Sequence, residues 1–190
     1  MIVEKRVTKE TNISVGVDIN GTGASNISTG VGFFDHMLEA LSKHSLIDME
    51  IKAVGDLHID AHHTVEDVGI VLGQALNRAI YPIEGVERYG DAIAVMDEAA
   101  ISCALDLSNR PFLVYKSISE GKVGEFDIEL VEEFFRAFAF NARITLHLNL
   151  IDGKNSHHII EATFKALALA LRRALAKNKR VGLPSTKGLL

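Results

Sequence analysis

The sequence predicts an α+β fold made of two copies of one unit, each a small sheet with two helices on one face. Three observations carry this. The motif His62-His63-Thr64-Val65-Glu66 returns as His157-His158-Ile159-Ile160-Glu161, half the chain length later in a chain of 190 residues. Superposing the two histidine pairs also superposes Gln74 to Ile80 on Leu169 to Leu175, and sets one half's first helix against the other's within two residues. Each half further reads as strands, a helix, a strand and a helix, the order of an α+β layer rather than of alternating βαβ units.

The elements follow from periodicity. From Thr11 to Ile19, Ile13, Val15, Val17 and Ile19 share one face at the two-residue period of a half-buried strand, and Gly21-Thr22-Gly23 supplies the turn. Phe33 to Lys43 places Phe34, Met37, Leu38 and Leu41 at helical spacing. Leu46 to Val54 reads as a strand. Asp60 is placed to cap a helix from His62 to Ile80, which Pro82 stops. In the second half, Asp91 to Met96, Ile101 to Leu107 and Phe112 to Ile118 read as strands. Leu130 to Phe140 follows as a helix and Ile144 to Leu150 as a strand, and Ser156 is the expected cap of a helix ending near Lys177. The apolar stripes are too wide for a lone half, so residues 1–88 and 89–180 are expected to pack together as one functional domain. Residues 181–190 form an irregular tail with so little apolar content that a ligand is expected to order it.

Composition excludes several classes. A net charge of −5 leaves no electrostatic footprint for nucleic acid. No apolar run approaches the roughly 20 residues that span a bilayer, and Met1-Ile2-Val3-Glu4-Lys5-Arg6 is no signal peptide, so the cytoplasm is the expected compartment. Cys103 is the single cysteine. It allows neither an intrachain disulfide nor a thiolate cluster, and its apolar neighbours make it core filler.

The repeated motif carries the chemistry. On a helix His62 and Glu66 share a face, whereas His63 is turned by roughly a quarter and points toward a second cation. Imidazole with carboxylate suits manganese, iron or zinc. A single His-His pair at a helix start is usually incidental, but its duplication favours a metal site. His36 is a further candidate, while His44, His58 and His147 lack such company and read as structural or surface groups. Two cations of about four to six ligands each would exhaust this inventory, so sites shared between subunits are expected. For an anion, Arg88, Arg110 and the Ser185-Thr186-Lys187 loop offer guanidinium forks, a hydroxyl and a point charge. No Gly-rich phosphate loop accompanies them, so a nucleoside triphosphate is not indicated.

Several long motifs in order then resemble the imidazoleglycerol-phosphate dehydratase family over essentially the whole chain. They are Arg6-Val7-Thr8-Lys9-Glu10-Thr11, Phe34-Asp35-His36-Met37-Leu38, Gly55 to Asp60 leading into the first His-His pair, Gly153 to Ala166, and Pro184-Ser185-Thr186-Lys187-Gly188. The resemblance implies a duplicated S5-domain-2-like fold. It implies a manganese-dependent hydro-lyase of histidine biosynthesis that converts D-erythro-imidazoleglycerol phosphate to imidazole-acetol phosphate. It also implies two Mn2+ ions per active site, held between subunits of a 24-mer built from trimers. The family's metal ligands fall on His36, His62, His63, Glu66, His157, His158 and Glu161, and its phosphate ligands on Arg88, Arg110, Ser185 and Lys187. Glu10 matches the acid near the substrate diol, and Asp97 a second acid. One departure stands out: where many members carry a ligand histidine, this chain reads Val131-Glu132-Glu133-Phe134-Phe135, so Glu133 is the expected oxygen ligand there. Rival functions are a dimetal phosphoester hydrolase, separable by its products, and an S5-like RNA-binding module, which the acidic charge and paired metal ligands disfavour.

Overall fold

In the computed structural model, which describes residues 1–188, the first half runs β1 (Ile2–Val7), β2 (Thr11–Asp18), β3 (Ser25–Ser28), α1 (Gly32–Ser45), β4 (Asp48–Gly55) and α2 (His62–Ile80). Its sheet has the order β1-β2-β4-β3, antiparallel except for the β3–β4 pair. The second half runs β5 (Tyr89–Met96), β6 (Ala99–Asp106), β7 (Phe112–Lys116), a short hairpin of β8 (Lys122–Val123) and β9 (Phe126–Asp127), α3 (Glu129–Ala142), β10 (Thr145–Asp152) and α4 (Ser156–Ala174). Its sheet order, β5-β6-β10-β7 with only β7–β10 parallel, repeats the first strand for strand. The duplication read from the sequence is therefore one of topology too, with the hairpin as the added piece.

The helices meet between the sheets. Alternation along β2 buries Ile13, Val15 and Val17, and the helical stripe of α1 buries Phe34, Met37, Leu38 and Leu41. Helix α2 lies on β1 and β2 and against α3 of the other half, while α4 lies on β5 and β6 and against α1. Phe134 joins the halves, meeting Phe34 edge-on with ring centroids 5.3 Å apart and stacking on Phe164 at 5.2 Å. The α2–α3 approach is close because Gly69 and Gly73 present no side chains there. A Cβ at Gly73 would stand 2.7 Å from the Phe138 carbonyl oxygen. At the opposite edge of α2, buried Asp67 accepts from Thr11 Oγ1 (2.5 Å) and Arg6 Nε (2.7 Å), so part of the motif at residues 6–11 pins the sheet to the helix.

Boundaries shift for physical reasons. Leu46 is the left-handed residue closing α1 (φ 64°), so the next strand begins only at Asp48. Asn155, not Ser156, caps α4, accepting from the His157 (2.9 Å) and His158 (3.4 Å) amides. That helix ends at Ala174, short of Lys177, whose backbone instead bridges to Val86. Strands β1 and β3 and the β8–β9 hairpin escaped the sequence reading. They are short or lie at sheet edges with mostly exposed, polar residues, which leaves little alternation to see. Cys103 is buried as expected, and burial pushes its thiol pKa up, which suits core filler. No helix among the described residues is long and apolar enough to cross a membrane.

Candidate active site

Three of the expected ligands meet within one chain. Helix α1 brings His36 and α4 brings His157 and Glu161, one turn apart on the same face. Glu161 Oε2 lies 3.3 Å from His36 Nε2 and 3.2 Å from His157 Nε2, and all three donor atoms fall within 4.8 Å of one another. Donors held roughly 2.1 Å from one cation at right angles stand about 3 Å apart, so this set fits a transition-metal ion. Phe33 meets the His157 ring edge-on at 5.2 Å and limits its orientation. Burial would raise the Glu161 carboxyl pKa. Lys165, one turn further along α4 with Nζ 2.6 Å from Oε1, acts together with His36 against burial, and the carboxyl is held below the usual range. Lys165 was missed by the sequence reading, although its spacing from Glu161 was the available signal.

The other expected ligands stay outside this cluster. His62 and Glu66 face each other across one turn of α2, Nε2 to Oε2 3.9 Å, both well exposed. His63 turns its Nδ1 to Asp56 (2.9 Å), and Glu10 stands 3.9 Å from the same nitrogen. Glu10 is placed by Thr8, whose Oγ1 accepts from the Glu10 and Thr11 amides in the β1–β2 turn. In the second half His158 turns its Nδ1 to Glu98 (2.8 Å), while Asp97 lies 3.9 Å from its Nε2. Glu133 lies on α3, apart from the His36 cluster. Asp56 and Glu98 were missed as well, because a carboxylate in a turn carries no mark of the ring it will reach.

The residues expected to bind an anion do converge. A pocket of about 520 Å³ is lined by Arg88, Arg110, Ser185 and Lys187 together with Ser108 and Asn109. Arg88, with a left-handed backbone (φ 70°), is nearly buried and gripped at two points by Asp106, Nε to Oδ1 2.7 Å and Nη2 to Oδ2 3.0 Å. That carboxylate raises the pKa of an already permanent cation. Arg88 Nη1 donates to the Pro184 carbonyl (2.5 Å), so the same guanidinium anchors the tail. The Asn178 amide donates to Gly85 O (2.8 Å) and the Gly85 amide to Gly182 O (3.1 Å), tying the chain back further. The protein's own bonds thus hold the tail at Gly182 and Pro184. Leu189 and Leu190 of the expected tail lie outside the described residues. Across the pocket, Arg143 holds Asn109 through Nε–Oδ1 (2.6 Å) and Nη2–O (3.0 Å), and the Asn109 amide donates to Tyr81 Oη (3.0 Å).

A family model described as imidazoleglycerol-phosphate dehydratase matches residues 29–171, which includes the His36 cluster and the Arg88 and Arg110 side of the pocket. The chain belongs to the imidazoleglycerol-phosphate dehydratase family. A family member from Campylobacter concisus is 69% identical over 186 residues, 97% of this chain and 95% of its own length. One from Aliarcobacter butzleri is 66% identical over 190 residues, the whole of both. Among solved structures, the Staphylococcus aureus subsp. aureus N315 dehydratase superposes with a TM-score of 0.82 at 44% identity, covering 93% of this chain and all of that one. The Pyrococcus furiosus family structure, a complex with (S)-C348, gives 0.85 at 37% identity over 98% of this chain and all of that one. The chain is accordingly a dehydratase of histidine biosynthesis, as its motifs implied.

Proposed function

We propose that the chain removes water from D-erythro-imidazoleglycerol phosphate to give imidazole-acetol phosphate, in a manganese-dependent reaction in the cytoplasm. The observation that carries this is the pairing of a His/His/Glu cluster with a separate Arg/Arg/Ser/Lys pocket, one suited to a ring-bound cation and the other to a phosphate. The partly exposed residues His62, His63, Glu66 and His158, which stay outside the cluster in one chain, support two Mn2+ sites completed between copies of the chain. A homo-oligomer, a 24-mer assembled from trimers, provides that arrangement.

The chemistry needs both sites. The hydroxyl on the ring-side carbon must leave while the neighbouring carbon loses a proton, and no carbonyl acidifies that proton. The resulting enol then takes a proton at the ring-side carbon and gives one up from its oxygen to become the ketone. Manganese, when bound, would supply Lewis acidity toward the imidazole. His36, His62, His63, Glu66, Glu133, His157, His158 and Glu161 are the residues that would hold it. Arg88, Arg110, Ser185 and Lys187 fix the phosphate end, and Glu10 and Asp97, in turns beside the ligand histidines, are placed to accept and return protons.

Purified protein given the substrate should form the ketone, lose activity on chelation and regain it with Mn2+. Release of inorganic phosphate instead of water loss would replace this function with phosphoester hydrolysis.

A further inference from the structure

Two ligand histidines are held by carboxylates on the nitrogen away from the expected cation, and the grip is built differently in each half. His63 meets both oxygens of Asp56, at 2.9 and 3.2 Å from Nδ1. His158 Nδ1 meets Glu98 Oε2 at 2.8 Å, while Glu98 Oε1 accepts from the Asn155 (2.7 Å) and Lys154 (3.2 Å) amides just ahead of α4. Glu98 therefore clamps a loop with one oxygen and a ring with the other.

We propose that Asp56 and Glu98 are positioning residues that keep the proton of neutral His63 and His158 on Nδ1, leaving Nε2 bare as a donor. A carboxylate only accepts, so it selects the ring tautomer that donates from Nδ1. The proposal rests on the metal reading for the purpose of the bare Nε2, but not for the tautomer itself.

Glu98→Gln makes a sharp test. A carboxamide has one accepting oxygen, and two backbone amides already claim it. Its NH2 group then faces His158 Nδ1, which must accept, and the ring proton moves to Nε2. Metal-free protein with 15N-labelled histidine, sedimented for solid-state NMR at a pH high enough to neutralise the ring, reports which nitrogen is protonated. Loss of the signal in His158→Asn assigns it. Wild type is expected to show Nδ1–H and Glu98→Gln to show Nε2–H, with Mn2+ affinity at one site lowered about 10–100-fold by titration of the free-ion EPR signal. Asp56→Ala should weaken Mn2+ binding comparably through His63. Nε2–H in wild type overturns the proposal, even if the Glu98 variant fails to fold. So does a folded Glu98→Gln with unchanged tautomer and Mn2+ affinity. Wild-type protein that shows Nδ1–H yet takes up no Mn2+ would instead sink the metal reading.

Discussion

Arg143 closes α3 in a left-handed conformation, φ 55°, which glycine adopts without steric cost. What an arginine adds there is its hold on Asn109, at the lip of the pocket proposed for phosphate. Arg143→Gly should therefore keep or raise the thermal midpoint while weakening inorganic phosphate binding about tenfold, roughly 1.4 kcal/mol, by calorimetry. An unchanged phosphate affinity would reduce the contact to a surface pair. Arg88, Arg110, Ser185 and Lys187 were grouped as phosphate ligands in the sequence only by the family resemblance, since each alone reads as a surface group, and one pocket gathers all four. Asp106, Tyr81 and Arg143 were not legible, because their link to the pocket runs through space between chemically ordinary residues. Asp48 offers a pH test at the same scale. Its Oδ1 accepts from the Thr22 (2.7 Å) and Ala24 (2.8 Å) amides, and these bonds, Ala24's first, hold its carboxyl pKa below the ordinary value. A depressed carboxylate stabilises the fold above its unfolded pKa of about 3.9 and loses that contribution as pH falls through the lower folded value. The stability advantage of wild type over Asp48→Asn, followed by urea denaturation, should be full at neutral pH and close in acid below pH ~3.9.

The contact of α2 with α3 depends on Gly69 and Gly73, four residues apart on one face of α2. Gly73→Ala would push a methyl group against the Phe138 carbonyl and should destabilise the protein by about 1–3 kcal/mol despite alanine's better helix propensity, lowering the urea midpoint with an unchanged slope. A stabilised variant would mean the helices give way easily. All four helices were legible, since each combines a long apolar period with turn or capping residues nearby. The core strands were legible by alternation, and Ile13, Val15 and Val17 are all buried. Strands β1 and β3 were not. An edge strand such as Ile-Val-Glu-Lys-Arg-Val buries too little on either face to leave a period in the sequence.

Each half covers its helices with the other half's helices, so neither has a complete core of its own. Residues 1–88 and 89–190 expressed separately should be insoluble or unfolded, whereas coexpression should recover a helical complex by circular dichroism and copurification. A soluble, cooperatively melting single half would refute this interdependence. If the exposed ligands complete metal sites between copies, chelation followed by dialysis should lower the particle mass measured by light scattering, and Mn2+ should restore it. The twofold plan is not repeated in every contact. The turn between the first two strands supplies Glu98 to His158, but the corresponding turn of the first half supplies Glu10, which stops 3.9 Å from His63 while Asp56, at the far end of β4, makes the close contact. The close carboxylate partners therefore come from non-equivalent positions of the two halves. A repeat matched strand for strand can thus deliver like carboxylates to like rings from unlike places, Asp56 from the end of β4 and Glu98 from the β5–β6 turn.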